Sequence, residues 1–401
     1  MKDYSDIKID WHSEITAKMG YGLQARRMLK PLIDGGADIK LIPDEDYLPP
    51  FMKINDPYWD EQIEKSKIKP DSPIRVSYCL PNRYRFNQNS FKIGYSMWET
   101  DQYPREWAHH INNTCDMFLA GCPSLLESAK KANIKIPIEV ANATLDVSEW
   151  VPDGHKVYPS EISKDNVKFL FIGNFIPRKN LEQLILGFAA AFEGCPDVSL
   201  IIKTWSHTND ANGKKHIAEA IRHLYNKVTG LISKPKISII TDILDENQII
   251  GLIRGCDAYV SVSKGEGFDL PMMQAMALEK LIVTTRFLAH GDYLNDSNSI
   301  NIKYTMCPCY DAVAPLYDTY QMWSSPDMES YIESLRTSYN LIKKGEHIKY
   351  GKEARNTIIN NFSPDVNTEK IAKIFRDIKR KNYKLSTNEK SIKASIKELV
   401  K

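Results

Sequence analysis

Three short segments carry residues whose types and spacing suit the handling of an anion and the hydroxyl groups beside it. The most informative is Ser261-Val262-Ser263-Lys264-Gly265-Glu266-Gly267-Phe268-Asp269-Leu270-Pro271, followed by Met272-Met273-Gln274-Ala275-Met276-Ala277. It reads as a strand end, a polar glycine loop and a helix start. Proline suits the first helical position, where its missing N–H costs nothing, so the amides of Phe268, Asp269 and Leu270 can point at an anion after the turn at Gly267. Glu266 projects from the same loop. It cannot attract a phosphate, so its useful chemistry is hydrogen bonding to sugar hydroxyls next to that phosphate, a role dispensable for packing. The alternative is a structural acid that caps local amides.

The second segment is Phe171-Ile172-Gly173-Asn174-Phe175-Ile176-Pro177-Arg178-Lys179-Asn180, with Asn180 a suitable N-cap for the helix that follows. Arg178 and Lys179 stand at the carboxyl end of a strand, where open α/β sheets bind ligands, and two adjacent cations there suit a diphosphate. A solvated surface pair would look the same. In the third segment, Met19-Gly20-Tyr21-Gly22-Leu23, a strand gives way to a glycine turn and a helix. Glycine lets the backbone approach a phosphate, and an exposed helix N-terminus contributes up to about 1 kcal/mol per anion. A plain tight turn would use Gly20, Tyr21 and Gly22 equally well. Glu99, after another strand, either faces a cleft or is a buried acid bonded to backbone. Isolated histidines such as His12, His109 and His110 are more often structural than chemical. Asp10 and Asp242 stand alone and form no Asp-x-Asp pair at a strand end, so no divalent ion is expected.

These segments need a scaffold, and the alternation of short apolar strands with helix-length amphipathic stretches provides one: an α/β fold of two doubly wound, Rossmann-like domains facing a cleft. The 401 residues exceed what one core usually serves. Strands are expected at 7–11, 39–42, 74–79, 91–96, 117–120 and 138–141 in the first half, and at 167–173, 198–204, 237–242, 258–263 and 281–285 in the second. Pro152, Asp153, Gly154, His155 and Pro159 interrupt the pattern, which puts a first domain at 1–155, a second at 156–362, and a closing helix with a basic tail at 363–401.

A net charge of +2 does not point to nucleic acid or membrane, but residues 376–401 hold nine Lys or Arg against three acids. That tail reads as a solvated helix end, or as a contact for nucleic acid or a membrane surface. Seven cysteines, an odd number, suit reduced thiols. With no signal pattern and no run of about 18 apolar residues, a cytoplasmic protein is expected.

The sequence resembles the retaining glycosyltransferases of glycosyltransferase family 4, whose signature is an acid in E-G-F-G-L-P followed after seven residues by a second acid within E-A-M-A. Here Glu266-Gly267-Phe268-Asp269-Leu270-Pro271 and Gln274-Ala275-Met276-Ala277 stand at those places. Gly20-Tyr21-Gly22, Trp98-Glu99-Thr100 with Pro104 and Trp107, and Arg178-Lys179-Asn180 extend the likeness over nearly the whole chain. The resemblance implies the GT-B architecture and a nucleotide-diphosphate-sugar donor. It implies transfer with retention to the hydroxyl of a glycan, lipid-linked sugar or small molecule, without metal or other cofactor. It further implies that Glu266 contacts donor-sugar hydroxyls, that the amides of Phe268 to Leu270 hold phosphate, and that Lys179 neutralises the diphosphate.

Several positions depart from the family pattern. Gln274 replaces the usual ribose-binding glutamate and still offers hydrogen bonds to two hydroxyls. Asn174 stands where many members place a phosphate-binding arginine, which leaves Arg178, Lys179 and Lys203, at the end of the next strand, for that duty. Other readings of the same residues are a nucleotide-sugar epimerase, a non-catalytic nucleotide-sugar-binding protein, and a transferase acting on modified DNA bases through the basic tail.

Overall fold

The computed structural model describes residues 2–18, 20–44, 52–205, 210–228, 230, 233–310 and 316–380. The first sheet holds β1 (Lys8–Ser13), β2 (Asp38–Pro43), β3 (Ile74–Tyr78), β4 (Phe91–Ser96), β5 (Met117–Ala120) and β6 (Ile138–Val140). Its neighbours are all parallel in the order β2-β1-β3-β4-β5-β6. Helices α1 (Tyr21–Asp34), α2 (Pro57–Lys67), α3 (Arg105–Thr114) and α4 (Pro123–Lys131) connect them. The second sheet holds β7 (Val167–Ile172), β8 (Val198–Lys203), β9 (Lys236–Ile240), β10 (Ala258–Ser261), β11 (Leu281–Thr284) and β12 (Ser299–Asn301), in the parallel order β12-β11-β10-β7-β8-β9. Its helices are α5 (Leu181–Ala191), α6 (Ala211–Asn226), α7 (Glu246–Arg254), α8 (Leu270–Ala277) and α9 (Ala289–Tyr293).

The strand sequences explain this arrangement. In Val-Lys-Phe-Leu-Phe-Ile of β7 and Val-Ser-Leu-Ile-Ile-Lys of β8 every residue is buried, as a parallel strand covered on both faces requires. Phe169, Phe188 and Phe192 meet at ring-centroid separations of 4.9 to 5.8 Å and fill the layer between β7 and α5. Helix starts follow the side-chain chemistry too. Asp245 and Gln248 form a reciprocal capping box at α7, while Asp56, Asp210 and Asp327 accept from the first turns of their helices.

Each sheet reverses its winding once, between β1 and β3 in the first and between β7 and β10 in the second, and crevices open at the carboxyl ends of those strands. The chain from Val140 to Val167 carries no strand or helix. After β13 (Tyr304–Pro308) and β14 (Met322–Pro326), an antiparallel pair, come α10 (Met328–Lys343), α11 (His347–Phe362) and α12 (Pro364–Arg380). Helix α12 leaves the second domain and returns to the first. Ile371, Ala372, Phe375 and Ile378 are buried in the same core as Ile7, Met28 and Leu29, and Arg376 donates to Asp6 at 2.9 and 3.0 Å.

The sequence pattern missed β12, β13 and β14. The first is a three-residue edge strand, and the pair is half exposed and polar, so neither shows the continuous apolar run that marks a central strand. Most of the basic tail, residues 381–401, lies outside the described residues. Among the described residues no helix is long and apolar enough to cross a membrane.

Candidate active site

The loop between β10 and α8 and the 3-10 turn Pro177–Lys179 after β7 bring three of the expected residues together. Lys179 Nζ donates to Glu266 Oε1 at 2.6 Å, and Arg178 Nη1 lies 3.0 Å from Glu266 Oε2. Arg178 also reaches the first domain, with Nη2 3.4 Å from Glu99 Oε1, and Tyr317 donates to Glu99 Oε2 at 3.1 Å. Two acids and two bases thus form one chain of charge across the domain boundary. Burial alone would raise the Glu266 carboxyl, but Lys179 and Arg178 outweigh it and hold it well below the usual carboxylate range. Burial works against the charge of Arg178, yet Glu266 and Glu99 more than compensate and keep its guanidinium firmly protonated. Burial and the neighbouring Glu99 push the Tyr317 phenol well above its ordinary value.

Glycine is required on both sides of Glu266 by close approach. A Cβ on Gly265 would sit 2.0 Å from the Glu99 carbonyl oxygen, and one on Gly267 would sit 3.0 Å from that of Trp98. The first-domain segment Met97–Glu99 therefore lies directly on the second-domain loop. Tyr21 fixes that segment from below: its hydroxyl contacts Ser96 Oγ at 3.2 Å and accepts from Met97 N at 2.9 Å. On the loop's other side, Tyr293 donates to the Phe268 carbonyl at 2.7 Å and stacks on its ring.

Asp269 occupies the left-handed region with φ 65°, and its carboxylate lies 3.2 Å from His290 Nε2 and 3.4 Å from Met272 N. The loop is thereby pinned behind α8. Among the described residues none accepts from the backbone N–H of Phe268, Asp269 or Leu270, the three amides that the sequence singled out.

Between the domains lies a cavity of about 560 Å³. Glu266, Lys179, Glu99 and Lys203 border it, as do Gly20, Tyr21 and Gln274 and the run from Gly267 to Leu270. Lys203 sits with Nζ 4.9 Å from the centre of the Trp205 ring, and burial lowers its ammonium to about 8.

Three expectations need correction. Arg178 does not border the cavity. Its Nη1 and Nη2 engage Glu99, Glu266 and the Gly265 carbonyl, so it compensates the two acids. Gly22 does not border the cavity either: a Cβ there would lie 2.3 Å from the Glu14 carbonyl oxygen, so its smallness serves the packing of α1 on the preceding loop. Asn180 stands at the N-cap of α5 but in the left-handed region, and its side chain donates to Gln183 and Val262 without capping the helix. Gly20, by contrast, borders the cavity with φ 58°, a backbone conformation that favours glycine, and an added Cβ would meet nothing within 4 Å.

The sequence reading also missed Tyr317, His290 and Trp205. Tyr317 follows the aperiodic run Ala312-Val313-Ala314-Pro315-Leu316, and His290 is 21 residues from Asp269, so nothing local marks either. His12 is buried 2.6 Å from Ser77 Oγ and 3.6 Å from Asp44, and with Cys79 forms a group of ligand-type atoms within 4.8 Å. Burial, with Arg85, Arg75 and Arg83, lowers its imidazole to about 3, surroundings that disfavour a cation there. His109 is exposed against Asn113.

Residues 166–302 match the family model of glycosyl transferases group 1. No curated protein matches the chain. Three solved structures match over nearly their whole length. HepE from Anabaena, in complex with UDP and glucose, superposes with a TM-score of 0.60 at 13% identity over 92% of this chain and 100% of its own. Sucrose-phosphate synthase from Thermosynechococcus elongatus gives 0.64 at 12% identity over 93% and 99%. A glycosyltransferase from Rickettsia africae gives 0.60 at 17% identity over 93% and 98%. At such identities it is the fold that is shared, and the stretch similar to the group 1 glycosyl transferase model is the one that carries Lys179 and Glu266: this chain has the GT-B fold.

Proposed function

We propose that the chain transfers a sugar from a nucleoside-diphosphate sugar, held in the interdomain cleft, to a hydroxyl acceptor with retention of anomeric configuration. The observation that carries this reading is the Lys179–Glu266 pair beside unbonded loop amides at the switch point of the second sheet. A lysine ammonium has three donors and Glu266 occupies one, so two remain for phosphate oxygens. Each carboxylate oxygen of Glu266 keeps a lone pair for a sugar hydroxyl. HepE, in complex with UDP and glucose, supplies the analogy for such a donor.

In this reading charge on the departing diphosphate is stabilised by Lys179, Lys203, the amides from Phe268 to Leu270 and the turn at Gly20, groups fixed before reaction. Arg178 sets the position and charge of Glu266. Glu99 orients the first domain against the loop and borders the acceptor side. No carboxylate is assigned as nucleophile, and the acceptor attacks the face that the diphosphate leaves. Closure of the domains keeps water from the donor.

The reading requires no metal, because the cations named above take the place of an Asp-x-Asp-bound ion. Incubation with UDP-, GDP- and ADP-sugars should release the nucleoside diphosphate from one class, with undiminished rate in EDTA. Release from none of them, in an otherwise folded protein offered several acceptors, would overturn it. Loss in EDTA that Mg²⁺ restores would overturn the metal-free part alone.

A further inference from the structure

Two buried polar side chains in the same cavity have no part in the reading above. Gln24, in the first turns of α1, is 2% exposed, and among the described residues neither its Oε1 nor its Nε2 has a hydrogen-bond partner. Trp150, in the segment between β6 and β7, is 0% exposed, and its Nε1 is likewise unpartnered. Both border the interdomain cavity. A buried amide and a buried indole N–H left unpaired destabilise a fold, so their retention in one cavity points to a ligand that completes them.

Their place in the fold says which end of the ligand that is. Arg27 lies three residues beyond Gln24, hence on a neighbouring part of the same helix face. It donates to Glu246 Oε1 of α7 at 3.0 Å and stands 5.6 Å from the centre of the Trp150 ring. The wall here is apolar, made by Ile243, Leu244 and Ile249. Trp150 packs in one core with Met273 and Ala277, which flank Gln274 on α8, and Arg355 ties the Trp150 and Ala277 carbonyls together. Gln24 thus borders the same cavity as Glu246 and Ile249 of α7 and Gln274 of α8, one helical turn from the Arg27 side chain that meets α7 and Trp150.

We propose that Gln24, with the Trp150 indole N–H, completes the nucleoside end of the donor site, which makes Gln24 a specificity-determining residue supplied by the first domain. The assignment rests on the donor reading given above. The indole can only donate, whereas the glutamine amide donates and accepts. The matching ligand group therefore presents an acceptor with a donor beside it: a ribose hydroxyl, or the hydrogen-bonding edge of a nucleobase. Because the cations assigned to the phosphates, Lys179 and Lys203, belong to the second domain and this contact comes from the first, a bound nucleoside diphosphate bridges both.

The test is calorimetric titration of UDP, GDP, ADP and inorganic pyrophosphate into wild type, Gln24→Leu and Lys179→Ala. Whichever nucleoside diphosphate binds wild type should bind Gln24→Leu about tenfold more weakly, with pyrophosphate unchanged. Lys179→Ala should weaken pyrophosphate. The ligand-free melting temperature of Gln24→Leu should hold or rise, because leucine leaves no orphaned amide. A 2′,3′-dideoxy analogue separates the two sources of the contact. It binds wild type and Gln24→Leu equally if the ribose is read, and keeps the tenfold difference if the base is read. Undiminished nucleoside-diphosphate affinity in Gln24→Leu overturns the proposal, as does a parallel loss of pyrophosphate or a fall in melting temperature. If no nucleoside diphosphate binds wild type, the donor reading itself fails and takes this assignment with it.

Discussion

Lys179 and Glu266 are each other's partner before a donor arrives, which changes what substitution at either should do. A loop acid was expected from the sequence to be dispensable for packing, but Glu266 is 4% exposed and neutralises two buried cations. Glu266→Ala should therefore abolish transfer and also destabilise the fold by about 3–5 kcal/mol, the usual result of breaking a buried pair from one side. Glu266→Gln keeps the shape and should abolish transfer at smaller cost. Urea melts beside turnover assays check both, and full turnover in Glu266→Gln would remove Glu266 from the site. Lys179→Ala leaves Glu266 its contact with Arg178, so stability changes little. Loss of a charge-assisted bond of about 1.5–3 kcal/mol should weaken a nucleoside diphosphate roughly ten- to a hundredfold while sparing the monophosphate. Equal loss for both would show that Lys179 does not read the terminal phosphate.

Lys203 offers a pH readout at the same scale. Burial lowers its ammonium to about 8 from an ordinary 10.5, so between those values the unfolded chain holds a proton that the folded chain has released, and stability rises with pH across that window. Anion binding runs the other way. A diphosphate favours the charged form, so affinity should be full below about pH 8 and decline as pH rises through it. Titrations from acid to alkaline pH should show that decline in wild type and a flatter profile in Lys203→Met. An identical decline in the variant would assign it to another group.

At the scale of elements, the site is a set of strand ends and loops whose spacing in sequence says little about their spacing in space. All strands of the two sheets except the short edge strand β12 were legible, and the central ones read as unbroken apolar runs because they are buried on two faces, as in β7 and β8. Glu266, Lys179 and Gly20 stand at strand-to-helix turns that the sequence marks, whereas Gln274, inside α8, was singled out by the family resemblance alone. Gly22 and Arg178 were misread because a local turn cannot reveal that Glu14 packs over one and that Glu99 comes from the other domain to the second. Tyr317 was invisible for the same reason: its partners Glu99 and Trp98 are more than two hundred residues away. The glycines beside Glu266 give the element-scale prediction. Gly265→Ala places a methyl against the Glu99 carbonyl and should force the Met97–Glu99 segment off the loop, lowering turnover at least tenfold while the melting temperature changes by only a few degrees. Wild-type turnover in that variant would mean that the contact between these segments is not used in the reaction.

For the whole molecule, α12 decides how the two domains share stability. It follows α11 of the second domain directly, yet Phe375 is 2% exposed in the core of the first, and Asn367 Nδ2 donates to the Ala143 carbonyl at 2.7 Å on the way. The first sheet therefore lacks part of its apolar cover until the last described helix is in place. A large aromatic removed from such a core costs about 3–5 kcal/mol, made up of lost burial and the cavity left behind. Phe375→Ala should impose that cost on the first domain alone, because among the described residues this residue's cluster includes no second-domain strand. Hydrogen exchange followed strand by strand reads the difference, since local opening reports the stability of each cooperative unit. Amides of β1, β3 and β4 should exchange faster by two to three orders of magnitude, while those of β7, β8 and β10 keep their protection. If all six strands lose protection together, the domains unfold as one unit and α12 clamps the whole molecule; if none does, α12 is a cover that the first domain does not need.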